Sequence, residues 1–283
     1  MFDSSIDLSL EFFPPKTEAL LESLKKTLFR LKRYNPEYVS VTYGALGSNQ
    51  EKSLSIVDHI QNKENIPTTA HFTCVGMSFE KAHAFLKELN SLGVSKVLAL
   101  RGDIPSNVDL KSVFTDFRYA SDLVSFISEK YPHFDIFVAG YPEKHPEAKS
   151  LETDIEHLKK KVDQGAKAVI TQLFFDNDHF FRFRDKAQDL GIKCKIIPGI
   201  MPVTSYESIK KITQMCGVHL PKDLELFFSQ DRNQQELDRF AVDFSLRQCE
   251  GLLEGGVDSF HLYTLNKLHV IENICAFLRK EEL

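Results

Sequence analysis

One carboxylate stands in an apolar run. Leu8-Ser9-Leu10-Glu11-Phe12-Phe13-Pro14-Pro15 reads as a hydrophobic strand closed by two prolines, with Glu11 as its ionisable group. Such an acid is paired with a cation, solvated at the strand end, or kept protonated, because desolvation disfavours the charged form. The last choice makes Glu11 a proton donor; the first makes it structural. Other residues able to do chemistry recur at the late ends of apolar runs: Thr42 and Tyr43, His71 and Thr73, Arg101 and Asp103 around Gly102, Tyr141, Gln172, and Tyr263 with Asn266. Each also has a structural reading. His71 fits a satisfied core histidine, the tyrosines fit rim aromatics with wetted hydroxyls, and Arg101 with Asp103 fits a local ion pair. Gly102, however, lets backbone approach a ligand closely, and a buried Gln172 needs partners that apolar cores seldom supply.

The elements that must position these residues alternate along the chain. Apolar strands are expected at 6–13, 38–43, 68–74, 96–100, 135–139, 168–175, 194–200 and 259–264. Amphipathic helices follow them at 17–34, 50–63, 79–92, 119–130, 151–164, 178–189, 205–215 with 233–253 and a short piece around Leu224, and 266–279. Gln172 thus falls inside the sixth strand. Strand-then-helix units without a linker or composition break predict an α/β protein, a single-domain (β/α)8 TIM barrel over residues 1–283. A doubly wound sheet competes less well, since Pro14-Pro15 occupy the place of its Gly-rich first turn. In a barrel, chemistry sits at the C-terminal ends of the strands, where the polar residues fall.

Composition narrows the classes further. The chain has 283 residues, 42% hydrophobic and 27% charged, with a formal net charge of -5 and scattered Lys and Arg, which argues against a nucleic-acid surface. It lacks a run of about 18 apolar residues, so no membrane partner is expected. Its first residues lack the pattern of a signal peptide, and a cytoplasmic protein is expected. The odd set Cys74, Cys194, Cys216, Cys249 and Cys275 fits reduced thiols. There is no C-x-x-C, and a close His/Cys pair such as His71 with Cys74 offers only two ligands, so no zinc site is expected. Lys96, Lys167, Lys193 and Lys195 fall at or before early strand ends, unsuited to a Schiff base. A metal-dependent lyase would need Glu11, Asp103 and Asp176 to converge, and it stands as the alternative enzyme reading.

Seven segments in fixed order carry a family resemblance. They are Leu10-Glu11-Phe12-Phe13-Pro14-Pro15-Lys16, Val39-Ser40-Val41-Thr42-Tyr43-Gly44, Ala99-Leu100-Arg101-Gly102-Asp103, and Tyr141-Pro142-Glu143-Lys144-His145-Pro146-Glu147-Ala148. Ile170-Thr171-Gln172-Leu173-Phe174-Phe175-Asp176, Ile197-Pro198-Gly199-Ile200-Met201-Pro202 and Phe260-His261-Leu262-Tyr263-Thr264-Leu265-Asn266 complete the set. Together they resemble methylenetetrahydrofolate reductases across nearly the whole chain. The resemblance implies a barrel that binds FAD without a Rossmann motif. It implies NADH or NADPH as hydride donor to the flavin, and then 5,10-methylenetetrahydrofolate reduced to 5-methyltetrahydrofolate in the same place.

The resemblance also distributes roles. It makes Glu11 a neutral, desolvated general acid, Asp103 the carboxylate that holds the pterin and influences the flavin, and Gln172 the amide facing the shared site. FAD is expected at Thr42, Tyr43, Ala45, His71, Arg101, Gly102, Asp103, Tyr119, Ala120, Tyr141, His145, Ala148, Asp154, His157, Lys160 and Lys161. Arg101, His145 and Lys161 suit its pyrophosphate or ribose. Folate is expected at Asp103, Gln172, Ser208 and Lys267. Departures are visible: His157 and Lys160 stand where bacterial relatives often carry Asn and Arg, Ser208 and Ile212 where Gln and a stacking aromatic are expected, and Lys267 where Arg is expected. A homo-oligomer is expected. The carboxy-terminal regulatory domain of eukaryotic relatives is expected to be absent, and adenosylmethionine control with it. The altered Ser208 and Ile212 also motivate a non-catalytic reading, a flavin-binding relative acting within a complex.

Overall fold

Strands buried on both faces read as near-continuous apolar runs, and the runs above become one parallel sheet. The computed structural model describes residues 6–15, 17–42, 50–103, 113–266 and 268–281. Its strands are β1 (Asp7–Phe12), β2 (Tyr38–Val41), β3 (Thr68–Thr73), β4 (Lys96–Leu100), β5 (Asp135–Gly140), β6 (Ala166–Thr171), β7 (Lys195–Ile197), β8 (Gly199–Ile200) and β9 (Ser259–Tyr263). The order is β7-β6-β5-β4-β3-β2-β1-β9-β8. Because β7 and β8 terminate that order yet are separated only by Pro198 in the chain, the sheet curls into a nearly closed barrel. The helices are α1 (Glu18–Leu31), α2 (Gln50–Asp58), α3 (Phe79–Ser91), α4 (Ala120–Lys130), α5 (Leu151–Asp163), α6 (Asn177–Asp189), α7 (Tyr206–Cys216), α8 (Lys222–Phe228), α9 (Gln234–Glu254) and α10 (Leu268–Arg279). Side-chain oxygens of Thr17, Ser78 and Ser150 cap α1, α3 and α5 at their first turns.

Two expected strands need correction. The seventh, expected to be continuous over 194–200, divides at Pro198, which has no N–H to give the ladder. Before it β7 pairs with β6, and after it β8 pairs with β9. The Pro198 carbonyl accepts from His261 N at 3.0 Å, and Gly199 N donates to Thr171 Oγ1 at 2.9 Å. The barrel therefore closes through one strand that changes partner halfway. The sixth strand, expected to run to Phe175, ends at Thr171. Leu173 and Phe175 instead turn into a separate apolar cluster with Met201, Val203, Ile209 and Leu224, and Gln172 sits just past the strand rather than inside it.

Period two along the strands splits each between two faces. Leu8, Leu10, Phe12, Val39, Val41, Phe72, Val97, Val138, Phe260 and Leu262 face the helices in the largest core cluster. On the inward face, Leu98, Phe137, Ala168, Ile170 and Ile197 pack with Tyr38 as an apolar sector. The inward residues of the neighbouring strands are polar and buried: Ser9, Glu11, Ser40, Thr69, His71 and His261. The barrel interior is thus half apolar filling and half polar cluster, and only the second half can do proton chemistry.

Gly199 tests the closure. A Cβ there would meet the Thr171 carbonyl oxygen and lie 2.6 Å from Tyr263 Cε2, so the seam would have to open. Gly199→Ala should cost about 1–3 kcal/mol, as overpacking does, read as a lowered urea midpoint. An unchanged midpoint would show that the seam is not tightly closed.

Candidate active site

The end of β1 is tied to the end of β9 before any functional side chain is considered. Thr264 Oγ1 donates to the Glu11 carbonyl at 2.6 Å. Asn266 exchanges two hydrogen bonds with the backbone of Phe13, its Nδ2 donating at 3.1 Å and its Oδ1 accepting at 3.2 Å. Tyr263 Oη donates to the Thr171 carbonyl at 2.7 Å. These residues of the expected rim hold the backbone around Glu11 in place.

Glu11 itself is 5% exposed. Its Oε2 lies 3.1 Å from His71 Nε2 and 3.3 Å from His261 Nε2, and it accepts from Ser40 Oγ at 3.4 Å. The contact with His71 is one of charge rather than of an aligned hydrogen bond. Behind His261, Nδ1 is 2.8 Å from Ser9 Oγ. This corrects the expectation of a neutral acid. Burial pushes the carboxyl up, but the charge of His71 and the hydrogen bond from His261 outweigh it and hold the pKa at about 2. His71, expected at the flavin, is engaged with the carboxylate. Ser9, Ser40 and His261 were not among the predicted site residues. The signal that reaches them is period two combined with register, since Ser9 lies opposite His261 and Glu11 lies opposite both Ser40 and Tyr263.

A second group gathers beyond β4 and β5. The Arg101 fork holds both oxygens of Glu147, at 2.6 and 2.7 Å. The backbone N–H of His145 donates to Asp154 Oδ2 at 2.8 Å, and its Nδ1 accepts from Glu147 N at 3.1 Å. The Tyr141 ring stands edge-on to that imidazole, centroids 4.8 Å apart. Burial pushes the Tyr141 phenol up and, with Arg101, pushes His145 down. Lys161 Nζ donates to the Ala139 carbonyl at 2.6 Å; burial pulls it down to about 8, and Asp154 opposes that. Arg101, Asp154 and Lys161 all act on His145 electrostatically, and Asp103 acts on Tyr141. Gly102 has φ +83, and a Cβ there would press on Thr73 and Val75 at 3.1–3.2 Å. Two cationic side chains, one of them desolvated, an imidazole and a close-lying glycine backbone fit a bound pyrophosphate.

The remaining expected residues spread out. Thr42 is half-buried, and its carbonyl accepts from Ser53 Oγ at 3.2 Å. Tyr119 is exposed as the N-cap of α4, which Ala120 begins. The Ala148 carbonyl accepts from Lys144 Nζ at 3.0 Å. Asp103 is exposed, as are His157 and Lys160 on the outer side of α5. Gln172 is half-buried; its N–H donates to the Gly140 carbonyl at 2.7 Å and its Oε1 accepts from Leu173 N at 3.0 Å. Ser208 is exposed on α7, and Ile212, one turn on, packs on the cluster of Leu173 and Phe175. Tyr43, Ala45 and Lys267 lie outside the described residues. Asp176, from the alternative metal triad, accepts from Asp178 N as the cap of α6. Among the described residues, no His, Cys, Asp and Glu side chains group to hold a metal ion, and no helix is long and apolar enough to cross a membrane.

Comparison with known proteins bears on the whole chain. The family model described as methylenetetrahydrofolate reductase matches residues 3–279. "Methylenetetrahydrofolate reductase (NADH) 1" of Arabidopsis thaliana is 39% identical over 91% of this chain and 46% of its own length. The "5,10-methylenetetrahydrofolate reductase" of Buchnera aphidicola is 39% identical over 96% of this chain and 92% of its own. The chain therefore spans about half the length of the plant relatives it matches and nearly all of the bacterial ones. Among solved structures, a Clostridium thermocellum protein titled as binding two copies of 5-methyl-5,6,7,8-tetrahydrofolic acid shares the fold at TM-score 0.65 and 16% identity, covering 98% of this chain and 95% of that one.

The Glu11 cluster sets an acid limit. Its folded pKa of about 2 lies below the ordinary 4.5, so the stability it contributes is present above pH 4.5 and is lost as pH falls through about 2. Urea midpoints of the parent should fall across that window, and those of Glu11→Gln should fall less steeply. Equal slopes would show that the imidazoles do not hold the carboxylate.

Proposed function

The chain belongs to the methylenetetrahydrofolate reductase family, and we propose that it reduces 5,10-methylenetetrahydrofolate to 5-methyltetrahydrofolate with FAD and a reduced nicotinamide. The observation that carries the reading is Glu11, buried at the late end of β1 between two imidazoles, a carboxyl group at the barrel's catalytic end with hydrogen-bonding rings beside it. The Arabidopsis relative's name specifies NADH, which makes NADH the donor to try before NADPH. One barrel domain over residues 1–283, a homo-oligomeric assembly and a cytoplasmic location belong to the same reading.

FAD, when bound, supplies the hydride chemistry, and the protein supplies position and protons. Arg101, His145 and Lys161 would hold its pyrophosphate and ribose, Gly102 would let the chain close on it, and Tyr141 would offer a flat surface. Thr42, Tyr43, Ala45, His71, Asp103, Tyr119, Ala120, Ala148, Asp154, His157 and Lys160 complete its surroundings. Asp103 and Gln172 orient the pterin, while Ser208 and Lys267 serve the rest of the folate.

Glu11 rests as a carboxylate, hydrogen-bonded to His261 and facing His71. Substrate covering the barrel mouth removes water and favours the neutral carboxyl. Glu11 then takes up one proton from solvent in each turnover and passes it from Oε2 to a nitrogen of the imidazolidine ring, which opens to the reactive iminium. A general acid neutralised as substrate binds needs no raised pKa in the resting state.

Purified protein should be yellow, and methylenetetrahydrofolate should reoxidise its reduced flavin without oxygen; a colourless protein that FAD cannot reconstitute would overturn the reading. Glu11→Gln should keep its flavin and its reduction by NADH, while folate reduction slows by roughly 10²–10⁴-fold, the usual worth of general acid catalysis. Stopped-flow measurement of the two half reactions separates these outcomes, and equal loss in both would make Glu11 structural.

A further inference from the structure

Toward the early ends of the strands, away from the Glu11 carboxylate, the polar half of the barrel carries two hydroxyls that the proposed reaction does not use. Tyr38 is 1% exposed and Thr69 0%; the Thr69 hydroxyl has no hydrogen-bond partner, and the Tyr38 hydroxyl has none of full geometry, with Ser9 alone in its reach. Native interiors rarely leave such groups unpaired without a bound water. Both sit beside the chain that ends on Glu11. Ser9 lies opposite Tyr38 on one side and opposite His261 on the other. The Tyr38 and His261 rings stack with centroids 6.3 Å apart, and Ser9 is close enough to the phenol to lower its proton affinity against the larger effect of burial. Thr69 lies opposite Ser40 and Lys96. The Lys96 ammonium stands 4.9 Å from the centre of the Tyr38 ring and pairs with Glu37 at 2.8 Å, which leaves it donors to spare. A water needs two to four polar partners; Tyr38 Oη, Thr69 Oγ1 and Lys96 Nζ supply three.

Donor counting shows what such a water does. Ser9 has one hydroxyl hydrogen and two acceptors in reach, Phe260 O at 3.3 Å and His261 Nδ1 at 2.8 Å. If it goes to Phe260, His261 Nδ1 must carry a hydrogen, and a neutral ring then turns a bare Nε2 toward the Glu11 carboxylate. If it goes to Nδ1, Nε2–H faces Glu11. A phenol that donates to Ser9 Oγ takes an acceptor position that an Nδ1–H would otherwise use, and so favours the serine hydrogen on Nδ1.

We propose that Tyr38 and Thr69 hold one ordered water inside the barrel, and that Tyr38, anchored by it, is a positioning residue that donates to Ser9, directs Ser9 to His261 Nδ1, and so presents Nε2–H to Glu11. In the proposed reductase reaction that Nε2–H is the hydrogen bond that steadies Glu11 as it takes up and passes on a proton. Its use rests on that reaction; the water site and the tautomer do not.

Tyr38→Phe and Thr69→Val each remove one hydroxyl with little change of shape. If the hydroxyls were unpaired, removal would raise the melting temperature. A bound water that loses a partner should instead lower it by roughly 2–4 °C in each variant. In ¹⁵N-histidine NMR, with His261 assigned by difference from His261→Gln, the parent ring should be protonated at Nε2, and Tyr38→Phe should move it toward a tautomer mixture. Melting temperatures that rise or stay constant, or a His261 tautomer indifferent to Tyr38, would overturn the inference. A protein that binds no FAD yet keeps this dependence would remove the reductase reading and leave this one standing.

Discussion

The structure turns on an ionised carboxylate held inside a barrel by two imidazoles. A lone buried carboxylate is expensive, and ion pairs in interiors hold only where several groups share the charge. Glu11 meets that condition with His71 at 3.1 Å, His261 at 3.3 Å and Ser40 at 3.4 Å. The requirement fixes the inward residues of three strands besides β1: Ser40 on β2, His71 on β3 and His261 on β9. It also explains why the barrel interior is polar on one side, while Leu98, Phe137, Ala168 and Ile170 fill the other.

A cluster of this kind needs its strands locked in register, because a shift by one residue turns every side chain to the opposite face. The lock lies at both neighbours of β9. Toward β1, Thr264 and Asn266 fasten the loop after β9 to Glu11 and Phe13. Toward β8, His261 N bonds the Pro198 carbonyl. The strand that carries His261 is thus gripped from both sides, and the break at Pro198 is what lets one strand serve two neighbours.

The alternation of strands and helices was legible in sequence because burial on both faces and amphipathic periodicity are local signals. The late-end placement of Glu11, His71 and Arg101 followed from it directly. What was not legible was contact at a distance. Glu11 and His261 are 250 residues apart, and nothing around Glu11 says that two imidazoles wait inside the barrel, so its ionised state could not be read. The seventh strand was misread because an apolar run does not record which neighbour each half pairs with. Pro198 was the available sign, since a proline cannot sit in a central ladder without a break. Gln172 was displaced for a related reason: residues 173–175 stay apolar after the strand ends because Leu173 and Phe175 enter a second cluster.

The two halves of the site answer to opposite charge logic, and this bears on the positions where the chain departs from its family resemblance. Inside the barrel a carboxylate is surrounded by proton donors; beyond β4 and β5 two cationic side chains and an imidazole surround acceptors, with Arg101 already closed on Glu147 and Lys161 on a backbone carbonyl. Both arrangements are fixed by hydrogen bonds whose geometry tolerates little substitution. Ser208 and Ile212 are different in kind. Ser208 is exposed, and Ile212 packs into an aliphatic and aromatic cluster where shape alone is required. An isoleucine there keeps the packing and gives up ring stacking, so on the proposed reading the pterin is held by its polar edge, at Asp103 and Gln172, more than by its face.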